Sequence, residues 1–167
     1  MVTTPTSDRD RQDVAPADRD PVEWLSDEQQ SIWRAWLLGV ARIDDYLDAD
    51  LRTRGLDMGE YEILVVLSEA ENRSMRMSEL ADLVHQSRSR LTHTIARMER
   101  TGFVVRTAAE DDRRGVIAWL TDDGFALLQG AAPSHVEAVR RIFVDAVRPA
   151  DFEAIGRAME AVLAVRD

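Results

Sequence analysis

Apolar residues recur at helical spacing along most of this chain, interrupted once by two short alternating runs. Ile32, Trp33, Trp36, Leu37, Val40, Ile43, Leu47 and Leu51 predict a long helix over 27–53. Ser26 is its expected N-cap, Asp27, Glu28 and Gln29 suit its first turn, and Gly55 ends it. Met58, Tyr61, Ile63, Leu64, Val66 and Leu67 predict a second helix over 58–70. Ser78 is read as the cap of a short third helix with Leu80, Ala81, Leu83 and Val84 on one side. After a break at His85-Gln86, Ser87 caps a helix that buries Leu91, Ile95 and Met98 and stops at Gly102. Phe103–Thr107 and Val116–Leu120 then read as a β-hairpin around the polar turn Glu110–Gly115. Thr121 caps a helix over 122–146 that Pro133 is expected to kink or locally interrupt, and Pro149 opens a last helix carrying Phe152, Ile155, Met159, Val162 and Leu163.

This order predicts a mainly α protein with a small β-hairpin wing, a winged helix-turn-helix flanked by N- and C-terminal helices. Residues 57–120 form the expected DNA-binding lobe, and 23–56 and 121–167 the expected dimerisation helices. Residues 1–22 carry almost no bulky apolar side chain and read as a disordered leader. The flanking helices hold more apolar surface than a small winged module can cover. A two-fold homodimer would bury it.

Composition changes the picture in three ways. Cysteine is absent, which excludes disulfides and thiolate chemistry. No stretch approaches a membrane span and no signal segment opens the chain, so a cytoplasmic protein is expected. The net charge of −10 argues against a general polyanion binder, but its distribution does not. Between Arg73 and Arg114 nine arginines face six acids, a surplus of three positive charges, so the remainder holds a surplus of thirteen negative ones. A basic island sits in an acidic chain. All 21 basic residues are arginine, a bias that carries no functional weight here.

With Leu91, Ile95 and Met98 turned inward, the helix from Ser87 presents Arg88, Ser89, Arg90, Thr92, His93 and Arg97 outward. A helix-turn-helix places the start of such a helix in the major groove, where Arg90 could reach guanine and Ser89 or His93 a base edge or phosphate. The hairpin tip carries Asp112, Arg113 and Arg114, suited to an adjacent minor groove, with Asp111 or Asp112 expected to hold an arginine in place. Arg73, Arg76 and Ser78 are candidate phosphate contacts. A single polar helix face is ordinarily only solvated surface; the basic hairpin behind it makes the nucleic-acid reading the stronger.

Met77-Ser78-Glu79-Leu80-Ala81, Ser87-Arg88-Ser89-Arg90-Leu91-Thr92 and Met98–Val104 resemble the MarR (multiple antibiotic resistance) regulators. So does Asp112–Gly124, with its wing followed by Leu-Thr-x-x-Gly, the most specific part of a likeness covering about residues 24–165. The resemblance implies a homodimeric transcriptional regulator, two reading helices in successive major grooves of palindromic double-stranded DNA, and release by a small phenolic or anionic effector. It puts Ser87, Ser89, Thr92 and Arg114 at DNA-contact positions, while His93 stands where arginine is common.

Trp33, Trp36, Arg42, Met58 and Tyr61 are the candidate effector pocket, with Arg42 meeting an anion, although aromatics at this spacing are more often plain core. His85, His93 and His135 are too scattered for a metal-site spacing. No nucleophile–base pair, carboxylate pair or metal cluster is discernible, so neither enzyme activity, a cofactor nor a metal is expected. The alternatives are a winged-helix protein-interaction module, or a metal-responsive regulator without an organic inducer.

Overall fold

The computed structural model describes residues 22–84, 86–109 and 115–166. The leader (except Val22) and the wing tip Glu110–Arg114, with Asp111, Asp112, Arg113 and Arg114, lie outside the described residues. The chain divides into two compact units, 1–36 and 37–167.

The first unit holds the start of α1 (Asp27–Arg52). Ser26 and Gln29 cap it reciprocally: Gln29 N–H donates to Ser26 Oγ at 3.2 Å and Ser26 N–H to Gln29 Oε1 at 2.8 Å. Trp24, Ile32, Trp33 and Trp36 are exposed there.

In the second unit, α1 ends where Gly55 adopts φ +78° and the Leu56 N–H returns to the Leu51 carbonyl. That left-handed turn favours glycine and satisfies carbonyls the helix leaves open. Then come α2 (Met58–Glu69), β1 (Ser74–Arg76), α3 (Met77–Leu83), α4 (Arg88–Arg100), β2 (Val104–Ala108), β3 (Val116–Leu120), α5 (Asp122–Val139) and α6 (Pro149–Leu163). The expected hairpin is present, and the sheet has a third strand in the order β1-β3-β2. β1 pairs Met75 with Ala118, and β2 pairs Arg106 with Ala118 on the other side. Ile63, Leu64, Leu67, Leu80, Leu91, Ile95, Met98 and Val104 are fully buried, so α2, α3, α4 and the sheet share one core.

Three local expectations are corrected. Ser78 does not cap α3: β1 runs straight into the helix, so Arg76 holds the N-cap position and Ser78 lies exposed within the first turn. Leu83, expected on the packed side of α3, is 55% exposed. Pro133 does not break α5, whose Leu128 and Ala131 before it and His135 and Ala138 after it are all buried. That packing outweighs one missing ladder bond. Beyond Val139 the helix continues as a π segment, Arg140–Val144.

Candidate nucleic-acid interface

Ser87 begins the site. It has extended dihedrals, and its Oγ accepts from the Arg90 N–H at 3.2 Å, fixing the start of α4. Leu91, Thr94, Ile95 and Met98 are buried beneath, which turns Ser87, Arg88, Ser89, Arg90, Thr92, His93 and Arg97 to the exposed side. The sequence-predicted face is thus brought together on one helix. Thr92 Oγ1 donates to the Arg88 carbonyl at 2.7 Å, so as placed its hydroxyl is left as an acceptor. A cleft of about 460 Å³ opens beside this half of α4, reaching from Gln86 and Ser89 past His93 to Asp57, the N-cap of α2. Gln86 Oε1 is buried there without a hydrogen-bond partner among the described residues.

Not every predicted arginine offers a free charge. Arg97 Nε donates to Glu60 Oε1 at 2.7 Å and Nη2 to Asp57 Oδ2 at 2.5 Å. Arg73, at φ +54°, lies 3.7 Å over the Phe125 ring with Nη1 3.2 Å from Asp122 Oδ1. Those contacts at the start of α5 offset the cost of its left-handed backbone. Arg76, within β1, is partly buried.

The root of the wing is fastened to α4. Glu99 accepts from the Arg106 N–H at 3.1 Å, from Nε at 2.9 Å and from Nη2, and these bonds to Arg106 hold its carboxyl below the usual range despite desolvation. The turn between α4 and β2 closes through Gly102 at φ +80°, with the Phe103 N–H returning to the Met98 carbonyl. Thr121 locks the far end. Its hydroxyl lies 2.7 Å from the Gly102 carbonyl oxygen and 3.1 Å from that of Phe103, and it accepts from the Gly124 N–H at 3.0 Å.

A second cleft, about 330 Å³, is lined by Met58, Tyr61, Glu62, Val65, Val66, Leu83, Val84 and His135. Tyr61 and His135 stack with centroids 4.3 Å apart. Burial lowers the His135 pKa against the opposing pull of Asp50, and raises that of Tyr61. His135 Nδ1 and Asp50 Oδ2 are both buried without hydrogen-bond partners among the described residues. Of the predicted pocket, Met58 and Tyr61 meet here; Arg42 is exposed on α1, and Trp33 and Trp36 are exposed in the first unit. Sequence reasoning missed His135 and Glu62, which lack any local motif. Among the described residues no group of three or more His, Cys, Asp or Glu could hold a metal, and no helix is long and apolar enough to cross a membrane.

A family model described as the MarR family matches residues 56–116, the stretch from α2 into β3. The solved structure of AbsC, a MarR family transcriptional regulator from Streptomyces coelicolor, is 43% identical, with a TM-score of 0.80 over 85% of this chain and 96% of that one. This chain belongs to the MarR family. A second MarR family regulator from Streptomyces coelicolor, solved in complex with DNA, is 38% identical with a TM-score of 0.82, over 87% of this chain and 91% of the other. The regulator PecS of Dickeya dadantii is 34% identical over 101 residues, 60% of this chain and 61% of PecS, so less than two thirds of that relative. These relatives are transcriptional regulators and not enzymes, and the MarR winged-helix fold expected from the sequence is the one observed.

The Leu-Thr-x-x-Gly signature of this MarR chain now has a physical basis. Thr121 must bond both the α4–β2 turn and the first turn of α5. Gly124 must lack a side chain because a Cβ would press into the Phe103 carbonyl oxygen and lie 2.8 Å from Leu120 Cδ1. The Asp57-x-x-Glu60 capping box that receives Arg97 went unread in the sequence, although its S/T/D-x-x-E spacing is the signal that marks such a cap.

Proposed function

We propose that this chain is a sequence-specific DNA-binding transcriptional regulator acting as a cytoplasmic homodimer on a palindromic operator, and that it represses until a small ligand releases it. The observation that carries the DNA reading is α4 itself. Its capped N-terminal half presents Ser87, Arg88, Ser89, Arg90, Thr92 and His93 outward over a buried seat, with the wing root pinned behind it. In this reading Arg90 takes guanine, Ser87, Ser89 and Thr92 contact the groove edge, and the wing residues Asp112, Arg113 and Arg114 serve the neighbouring minor groove. Ser78 and Arg76 lie at the start of α3, in keeping with backbone contacts.

The effector reading is supported by the second cleft. Its walls are largely apolar, with Tyr61, His135 and the carboxyl of Glu62 as polar neighbours, which suits a small phenolic ligand better than a bare anion.

The test is fluorescence anisotropy on a duplex the protein enriches from a randomised library, against a shuffled duplex. Specific binding that weakens steeply with salt is expected, and absence of binding at low salt refutes the proposal. Arg90→Ala should cost about 1–3 kcal/mol on the enriched duplex and relax base choice at one position. Unchanged affinity removes Arg90 from the interface.

A further inference from the structure

Arg97 lies on the helix face that the charge pattern assigns to DNA, yet its guanidinium is engaged within the protein. Both of its acceptors, Asp57 and Glu60, belong to the start of α2 and already form the reciprocal cap there. Asp57 Oδ1 accepts from the Glu60 N–H at 2.8 Å, and Glu60 Oε2 from the Asp57 N–H at 3.0 Å. Two carboxylates around one guanidinium leave the spot negative, a poor place for a phosphate. The same turn is also held from the other direction. Asp48, near the end of α1, accepts from the Met58 N–H at 3.0 Å and from Arg52 Nε at 2.6 Å, bonds that depress its pKa.

We propose that Arg97 is a positioning residue that fastens the reading helix to the capped N-terminus of α2, rather than a DNA contact. The inference rests on α4 being the helix that reads DNA. Asp48 grips the α2 turn from α1 and Arg97 grips it from α4, so this one turn joins the long N-terminal helix to the reading helix. Loss of Arg97 then blurs the placement of Ser89, Arg90 and His93 against the bases without removing a phosphate contact. Specific binding suffers, while sequence-independent binding does not.

Binding to the enriched and shuffled duplexes, measured across a salt series, separates the two roles. Arg97→Gln is expected to weaken the enriched duplex by about five- to tenfold. It should scarcely alter the shuffled one and leave the slope of log affinity against log salt unchanged. A phosphate contact would instead lower both affinities together and reduce that slope by roughly 0.9. Glu60→Gln gives an opposite-sign check, because glutamine still completes the capping box while one carboxylate leaves the guanidinium. Positioning predicts weaker specific binding; a phosphate-binding Arg97, relieved of competition, would bind both duplexes more tightly. If Arg97→Gln shows no cooperative melt, the sign of the Glu60→Gln effect decides alone. Parallel loss with a reduced slope, tighter binding by Glu60→Gln, or no effect in either variant overturns the proposal. Arg90→Ala runs beside them: if it too is silent on both duplexes, the reading role of α4 fails, whereas a specific loss there with a silent Arg97 removes only the positioning role.

Discussion

A methyl group on residue 124 has nowhere to go, because the Phe103 carbonyl and Leu120 already fill the space. Alanine in place of glycine normally favours a helix by about 1 kcal/mol. Here the sign should reverse, with Gly124→Ala lowering stability by about 1–3 kcal/mol through overpacking. Chemical denaturation checks it, and an unchanged or raised midpoint would show that the turn yields. Single residues of this kind were only partly legible. Ser26, Ser87 and Thr121 announce themselves as caps because their short hydroxyl side chains precede an apolar-periodic run. Ser78 makes the same announcement and is overruled, since the strand before α3 delivers a helical backbone two residues earlier, with Arg76 at the N-cap position. The partners of Arg97 stood in the sequence as acids, but nothing in the local pattern pairs Arg97 with Glu60, 37 positions away.

Among the described elements, apolar period together with caps, glycines and prolines located the six α-helices and the hairpin. β1 escaped because it is three residues long and borrows its ladder from β3, a non-local pairing without an alternating run of its own. The continuity of α5 through Pro133 was likewise hidden, being decided by burial on either side. The seat of α5 against α2 includes the Tyr61–His135 stack, and it gives the fold a pH dependence. Burial keeps His135 below its ordinary value of 6.5, so as pH falls the unfolded chain binds this proton before the folded one. The stabilisation is complete above about pH 6.5 and is drawn down below it, whereas the depressed carboxyls of Asp48 and Glu99 lose theirs only in stronger acid. Thermal melts should show Tm falling between about pH 7 and pH 5 in the wild type and flattening in His135→Phe, which keeps an aromatic partner for Tyr61. Profiles that fall in parallel would assign the loss elsewhere.

At the scale of the whole molecule, the apolar surface left in water by a single chain is the outstanding quantity. On α1 these groups include Trp33, Ile32 and Leu38; α6 buries no residue at all, with Val162 62% and Leu163 84% exposed. A chain of this kind should sediment as a dimer at micromolar concentration, and Leu163→Glu with Val162→Glu should shift it toward monomer and weaken DNA binding together. A monomer that still binds the enriched duplex tightly would contradict the dimer. The basic island also reads differently once folded. Arg73, Arg97 and Arg106 are spoken for by Asp122, by Asp57 with Glu60, and by Glu99, so the arginine count overstates the charge offered outward.

The Thr121 hydroxyl, bonded at once to the close of α4 and the opening of α5, pins those two helices together as a bracket. In the proposed dimer a partner would be joined through the far arm of that bracket. A dimer joined in that way would fix the gap between its two reading helices, and the protein would then serve as a ruler for the spacing of its half-sites.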